Sequence, residues 1–313
     1  VFDEAHYCSN PDALRTKACL GLDDAGVRAP QHPLSQARFV WPLSGTPGNP
    51  SQMWTWLRTF GVTELSWSDW TERYCRTRWT NYGLQVMGVR SSKLAELKAI
   101  MSPYVLRRTT KDVGLPQARW GVLSLACSVD NVDRSSLPVV DPNGDELPDP
   151  EPPIATLIRE LGERKVAPII EIVSAELESG ELDKIVIFAW HRNVIERLTK
   201  GLLRYGAHRI EGGMPELVKQ ANIDRFQTDP AYRVLVCQHE AGGVGLDLSA
   251  AADVLLAELS WNPDDNTQAA ARVLGPKQSR PVMVRVAASA DPLDYALARV
   301  TARKNTTLQK TWS

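Results

Sequence analysis

The sequence is short of everything that marks a secreted, membrane-spanning or zinc-built protein. Five cysteines are scattered over 313 residues, no two of them in a C-x-x-C pair, and an odd number leaves no complete disulfide framework. Free thiols in a reducing, intracellular compartment are expected, and a zinc site is not. The longest apolar runs, such as Ile185 to Trp190, are far too short to cross a bilayer, so no membrane partner is expected. No secretory leader is visible. The first residue is Val rather than Met, which leads us to expect a processed chain or a fragment. Formal net charge is only −1, so no overall field gathers polyanions. Two phosphate-binding patterns are also missing. There is no G-x-G-x-x-G, and no G-x-x-x-x-G-K-[ST], because no Lys follows a Gly anywhere.

What is present is an ordinary globular composition, 43% hydrophobic and 23% charged, in a chain long enough for two domains. The near-zero charge is an average. Residues 1–125 carry 15 Lys/Arg against 10 Asp/Glu, and residues 126–155 carry one Arg against seven acids. Between 137 and 153, prolines alternate with Asp141, Asp145, Glu146, Asp149 and Glu151. That stretch cannot build helix interior or central strand, and it reads as a solvated linker. Expected boundaries are therefore a first region at 1–136, a linker at 137–153 and a second region at 154–313.

Beyond the linker, apolar strand-like runs alternate with helical stretches. Strands are expected at Lys184–Ala189, Ala207–Ile210, Arg233–Cys237, Asp253–Ala257 and Pro281–Val286. Helices are expected at Arg192–Leu203, Pro215–Gln227, Pro263–Leu274 and Pro292–Lys304. This alternation predicts a parallel sheet covered on both faces. In the first region, Val1-Phe2 reads as the end of a buried strand and Arg38–Leu43 as another. Residues 50–112 read as mostly helical, with five Trp between 54 and 79 whose expected role is core packing.

Four short elements carry chemistry. Asp3-Glu4-Ala5-His6 follows an apolar strand end. A carboxylate there can hold Mg²⁺ through water, and the next one can polarise an attacking water. Alone it reads better as a solvated turn. Leu43-Ser44-Gly45-Thr46-Pro47 follows the next strand, where small hydroxyl residues can sit close to the carboxylates. Gly242, Gly243 and Gly245 follow the strand at 233–237, so backbone N–H groups can approach a phosphate. Gln268 and Arg272 lie four apart on an expected helix, sharing a face from which a guanidinium can reach a phosphate.

In this order the elements resemble the SWI/SNF-related branch of superfamily-two helicase-like ATPases, near the annealing-helicase (HARP-like) and bacterial or phage relatives. Asp3–His6 resembles motif II and Leu43–Pro47 motif III. Tyr104–Thr109 resembles the LRRTK segment, and Lys184–Leu198 motif IV. CQHEAGGVGLDLSAA resembles motif V, and QAAARVLGPKQ motif VI. The resemblance implies an α/β chain of two RecA-like parallel-sheet lobes, the first incomplete and carrying the helical insertion at about 50–112. It implies ATP and Mg²⁺ as cofactors. Asp3 would organise the metal through water, Glu4 would orient the attacking water, and His6 would couple to Ser44, Gly45 and Thr46. Gln268 and Arg272 would serve the nucleotide. Trp190, His191, Gly242, Gly243 and Gly245 would touch the backbone of double-stranded or branched DNA.

Two departures qualify the activity. The phosphate loop (Walker A) that precedes motif II in such motors is missing, so this chain is expected to be inactive alone, with that half perhaps on another chain. In motif VI, Gly275 stands where the family carries a second Arg, and Lys277 or Arg280 are the nearest substitutes. The alternative reading is a non-catalytic DNA- or partner-binding remnant of a motor. An RNA helicase is disfavoured by the LRRT-like segment and the Trp-rich insertion.

Overall fold

The computed structural model describes residues 1–22, 28, 30–44, 53–80, 83–106, 108, 112, 114, 118–127, 152–239, 246–260, 263–275, 277–291 and 294. The chain divides into two compact units, Val1–Arg107 and Arg108–Asn305. Residues 137–151 of the linker expected at 137–153 and, Asp294 apart, the helix expected at Pro292–Lys304 lie outside the described residues.

The first unit is built from short pieces. A 3-10 turn, Ala5–Cys8, is followed by α1 (Leu14–Leu20), which Gly21 closes at φ 67°, and by α2 (Pro33–Gln36). Then come α3 (Trp54–Thr59) and α4 (Trp67–Tyr74), the latter started by Ser66, whose hydroxyl accepts from Asp69 N. The hairpin β1 (Cys75–Thr80) with β2 (Gly83–Val89) and then α5 (Leu94–Met101) complete the order. The stretch 50–112 was expected to be mostly helical; a hairpin sits in its middle. In CRTRWT, Arg76 and Arg78 alternate with Cys75, Thr77 and Trp79, a period of two that a helix reading overlooks. The expected strand Arg38–Leu43 reduces to one parallel bridge, Phe2↔Pro42, flanked by Phe2 N→Trp41 O and Leu43 N→Phe2 O. Phe39, Trp41 and Leu43 are exposed. Of the five tryptophans, Trp56 and Trp70 are buried, and Trp54 and Trp67 pack edge-to-face against each other beside the buried cluster. Trp79 lies outside the described side chains.

The second unit is the expected α/β layer structure. Its strands are β3 (Ala118–Leu125), β4 (Ile185–Ala189), β5 (His208–Ile210), β6 (Val234–Gln238), β7 (Asp253–Leu256) and β8 (Val282–Ser289). They pair in the order β3-β8-β7-β4-β6-β5, parallel throughout. Strand β3 precedes the expected linker in sequence, yet it pairs with β8 over its full length. The helices are α6 (Pro152–Ser179), α7 (Arg192–Gly201), α8 (Glu216–Thr228) and α9 (Pro263–Ala271). Helix α6 begins inside the Pro-rich stretch, because two prolines are tolerated in a first helical turn.

Alternation along the central strands divides the core. Ile185, Ile187, Ala189, Val234, Val236 and Leu255 face a layer with α6 and α7. Val186, Phe188, Leu235, Cys237, Val254 and Leu256 face a layer with α8 and α9. Burial on both sides is why these strands read as continuous apolar runs. Strands β4 and β7 are neighbours, yet the helix after β4 covers one face and the helix after β7 the other. A crevice outside their carboxyl ends is the place where open parallel sheets bind ligands.

Candidate functional site

In the first unit the chain turns sharply at Glu4, whose φ 50° and ψ 44° place a non-glycine residue in the left-handed region. Such a conformation costs on the order of 1 kcal/mol and persists only where its surroundings fix it. They do. Ala5 N donates to Leu43 O at 2.8 Å, and Trp56 Nε1 donates to Ala5 O at 3.1 Å. Phe2 packs edge-on against the Trp56 ring at 5.4 Å, and Thr55 Oγ1 donates to Ser9 O at 2.7 Å. Helix α3 therefore clamps the acidic turn at two carbonyls.

The turn gathers three side chains. His6 Nδ1 lies 2.9 Å from Ser44 Oγ and 3.2 Å from Glu4 Oε2. That Glu4 oxygen is buried and accepts no hydrogen bond. Asp3 is exposed, and its Oδ1 accepts from Glu4 N at 2.9 Å. An exposed carboxylate beside a second one with an unsatisfied oxygen is a hard-oxygen donor set that fits Mg²⁺, which takes one or two carboxylates and fills its other positions with water and phosphate. Among the described residues no three His, Cys, Asp or Glu side chains form a closed cage. Gly45 and Thr46 lie outside the described residues.

In the second unit the crevice between β4 and β7 is occupied by a buried carboxylate. Glu258, 3% exposed, accepts from Trp190 N and His191 N, each at 2.9 Å, and from His191 Nδ1 at 2.7 Å. It lies against α6 at Gly162, where an added Cβ would stand 2.0 Å from Glu258 Oε1. His239 Nε2 donates to the Glu258 backbone carbonyl at 2.8 Å, and its ring packs near Phe188 and Trp190. Burial holds the His239 imidazole below its ordinary range, with the Glu258 carbonyl the largest opposing influence. Its Nδ1 is buried and has no hydrogen-bond partner among the described residues, which suits a neutral ring.

Of the residues expected here, Trp190 and His191 meet in this cluster. Gly242, Gly243 and Gly245 lie outside the described residues. Gln268 sits on α9, but Arg272 falls one residue past the helix end, where its N–H turns back to Ala269 O. The expected shared helix face therefore stops short, because the chain leaves the helix to let Arg272 O accept from Leu248 N at 2.9 Å. Buried Gln278 staples this turn through its amide to the carbonyls of Ser249, Ala251 and Val273. Arg280 is committed to the Ala250 carbonyl and to Asp183, whereas Lys277 is 82% exposed and lies 3.5 Å from Asp247. A Cβ at Gly275 would meet nothing nearer than Asp247 Oδ1 at 3.4 Å, so the missing Arg is not a steric requirement of the turn.

Trp56 and Glu258 are the residues that sequence reasoning missed. Trp56 looked like one of five core tryptophans, and nothing local marks its N–H. Glu258 interrupts the buried run ADVLLAELS, and an acid in so apolar a context was the available signal.

Comparison with known proteins places these features. Residues 165–274 match the model of the helicase conserved C-terminal domain. A Drosophila melanogaster SWI/SNF-related matrix-associated actin-dependent regulator of chromatin subfamily A-like protein 1 is 28% identical over 99% of this chain and 41% of its own length. The Bos taurus protein of the same name is 30% identical over 87% of this chain and 29% of its own length. The DNA annealing helicase and endonuclease ZRANB3 of Mus musculus is 24% identical over 86% and 26%. The chain thus spans well under half the length of these relatives. Among solved structures, the Sulfolobus solfataricus SWI2/SNF2 ATPase core in complex with dsDNA aligns at TM-score 0.46 and 22% identity, over 99% of this chain and 69% of that one. The chain is a relative of the SWI/SNF-related helicase-like proteins, with the helicase C-terminal region in its second unit.

Proposed function

We propose that this chain is the portion, from the acidic turn onward, of an ATP-dependent motor that moves along double-stranded DNA. The observation that carries the reading is the meeting of His6 with Ser44, which joins the acidic turn to the LSGTP segment 38 residues later by side chains as well as by backbone. A hydroxyl and an imidazole beside two carboxylates form a relay by which one loop senses the other. In this reading Asp3 holds Mg²⁺ through water and Glu4 orients the attacking water. The metal, when bound, supplies charge neutralisation at the transferred phosphoryl group. Glu4 suits its role because its strained backbone and pinned neighbours fix the carboxylate before nucleotide arrives. Gln268 and Arg272 keep their nucleotide assignment on motif resemblance, and so do Gly45, Thr46, Gly242, Gly243 and Gly245. Trp190 and His191 are assigned to the DNA backbone, supported by their place at the crevice between β4 and β7.

The test joins this chain to the segment that precedes the matching region in its relatives. ATP hydrolysis is measured with and without duplex DNA. Stimulation by duplex is expected, with Glu4→Gln lowering turnover by about 10²-fold or more. A joined protein that binds duplex yet never hydrolyses ATP overturns the motor reading.

A further inference from the structure

The buried charge at Glu258 has no role in the motif set, yet three donors converge on it. A carboxylate taken out of water is retained only where it is well paired. All three donors here come from one short turn, the one that leads from β4 into α7, and the carboxylate reaches them from 67 and 68 residues away. One oxygen takes both backbone N–H groups and the other takes the imidazole. Gly162 leaves the space the carboxylate occupies. The ring is thereby fixed at one edge. His191 Nε2 has no partner among the described residues and is not a buried orphan, and the side chain is 27% exposed.

We propose that Glu258 is a positioning residue for DNA binding: it turns His191 Nδ1 inward, presents Nε2 outward, and so makes His191 a contact for a backbone phosphate of duplex DNA. This rests on the motor reading above. A phosphate oxygen only accepts, so Nε2 must carry a proton to meet it. With Nδ1–H donated to Glu258, it is Nε2–H that is left to face a phosphate. The arrangement is the carboxylate–histidine pairing by which second-layer groups orient histidine in metal sites, used here towards a phosphate. The backbone N–H of Trp190 is held by the other oxygen of the same carboxylate, which fixes it in register with the ring.

The test uses the whole chain and a short fluorescein-labelled DNA duplex, followed by anisotropy at fixed moderate salt. His191→Ala is expected to weaken binding about tenfold, the size of one lost hydrogen bond to a charged group. Glu258→Gln, which keeps volume and one acceptor oxygen, is expected to weaken it by a similar factor, and to have no further effect in a His191→Ala background. A purely structural Glu258 would lower the melting temperature in both backgrounds and leave affinity alone, and that result overturns the proposal. The spectroscopic check is the His191 Nδ1 proton, expected far downfield in the unmodified chain and absent in Glu258→Gln. If Glu258→Gln fails to fold, His191→Gln decides, because wild-type affinity in that variant also overturns the proposal. Absence of any duplex binding by the unmodified chain defeats the DNA reading itself, which separates the two failures.

Discussion

The acidic turn of the first unit and the β4–α7 turn of the second are held by the same device with opposite polarity. In each, a buried polar group from a later segment reaches back to fix a loop. Trp56 donates a neutral N–H to the carbonyl of Ala5, whereas Glu258 accepts three N–H groups with a full charge. The supports beneath them differ as well. The β4–α7 turn emerges from the middle of a six-stranded sheet buried on both faces. Among the described residues the acidic turn rests on one parallel bridge and the face of a six-residue helix. A loop on a deep sheet has its backbone placed by the ladder and needs only its side chains oriented. A loop on a single bridge needs its backbone held, and the residue that holds it carries more of the local stability.

Trp56→Ala therefore carries the largest expected effect. It removes a buried indole packed on Phe2 and strips Ala5 O of its donor, at a cost of about 3–5 kcal/mol. Thermal unfolding should show the loss in the first unit, with the second unit's transition unmoved. Trp56→Phe restores most of the packing without the N–H, and should recover more than half of that loss. Equal losses in the two variants would mean that the hydrogen bond rather than the packing holds the turn. A shift of the second unit's transition would end the comparison between independently held turns.

Gly162→Ala breaks the other support. An exposed glycine inside a helix gains about 1 kcal/mol on becoming alanine. Here the new Cβ would stand 2.0 Å from an oxygen of a carboxylate that three hydrogen bonds hold in place, so the sign should reverse. The expected cost is about 1–3 kcal/mol, measured by denaturant unfolding. A stabilised variant would show that Glu258 moves aside freely and that its hydrogen bonds do not fix the turn.

The same contrast explains what the sequence revealed. The second unit's strands and most of its helices were legible because burial on both faces writes continuous apolar runs such as KIVIFA and RVLVC between turn signals. Strand β3 was not, because ARWGVLSL lies at the sheet edge with Trp120 and Val122 exposed, and its partner β8 follows more than 150 residues later. The hairpin of β1 and β2 was hidden among helical neighbours. At the candidate sites, His6 and Ser44, paired by the expected coupling of their segments, do meet. The holders at these sites were not legible, since Trp56 and Glu258 act through tertiary reach, and no local pattern records which carbonyl an indole will find. Arg272 shows the limit from the other side: its four-residue spacing from Gln268 was correct for a helix, and the helix ended one residue early.

The smallest effect is a slope with pH, and it sharpens the contrast because only the second turn stacks a buried imidazole on its carboxylate segment. His239 gives its Nε2 proton to the Glu258 carbonyl, which leaves Nδ1 to take any further proton in a buried place with no acceptor among the described residues. Burial accordingly depresses its affinity for that proton. In the unfolded chain the same imidazole titrates near about 6.5. As pH falls through that value the unfolded state binds a proton that the folded state refuses, so stability drops, and it levels only once the folded ring is protonated as well. One such group contributes at most about 1.4 kcal/mol per pH unit. Urea unfolding of the second unit at a series of pH values between about 7 and 5 should therefore lose stability on acidification. His239→Gln, which keeps a donor for the Glu258 carbonyl and cannot take the second proton, should flatten that part of the curve. An unchanged slope in the variant would assign the pH dependence to another group and remove His239 from the account of how this turn is held.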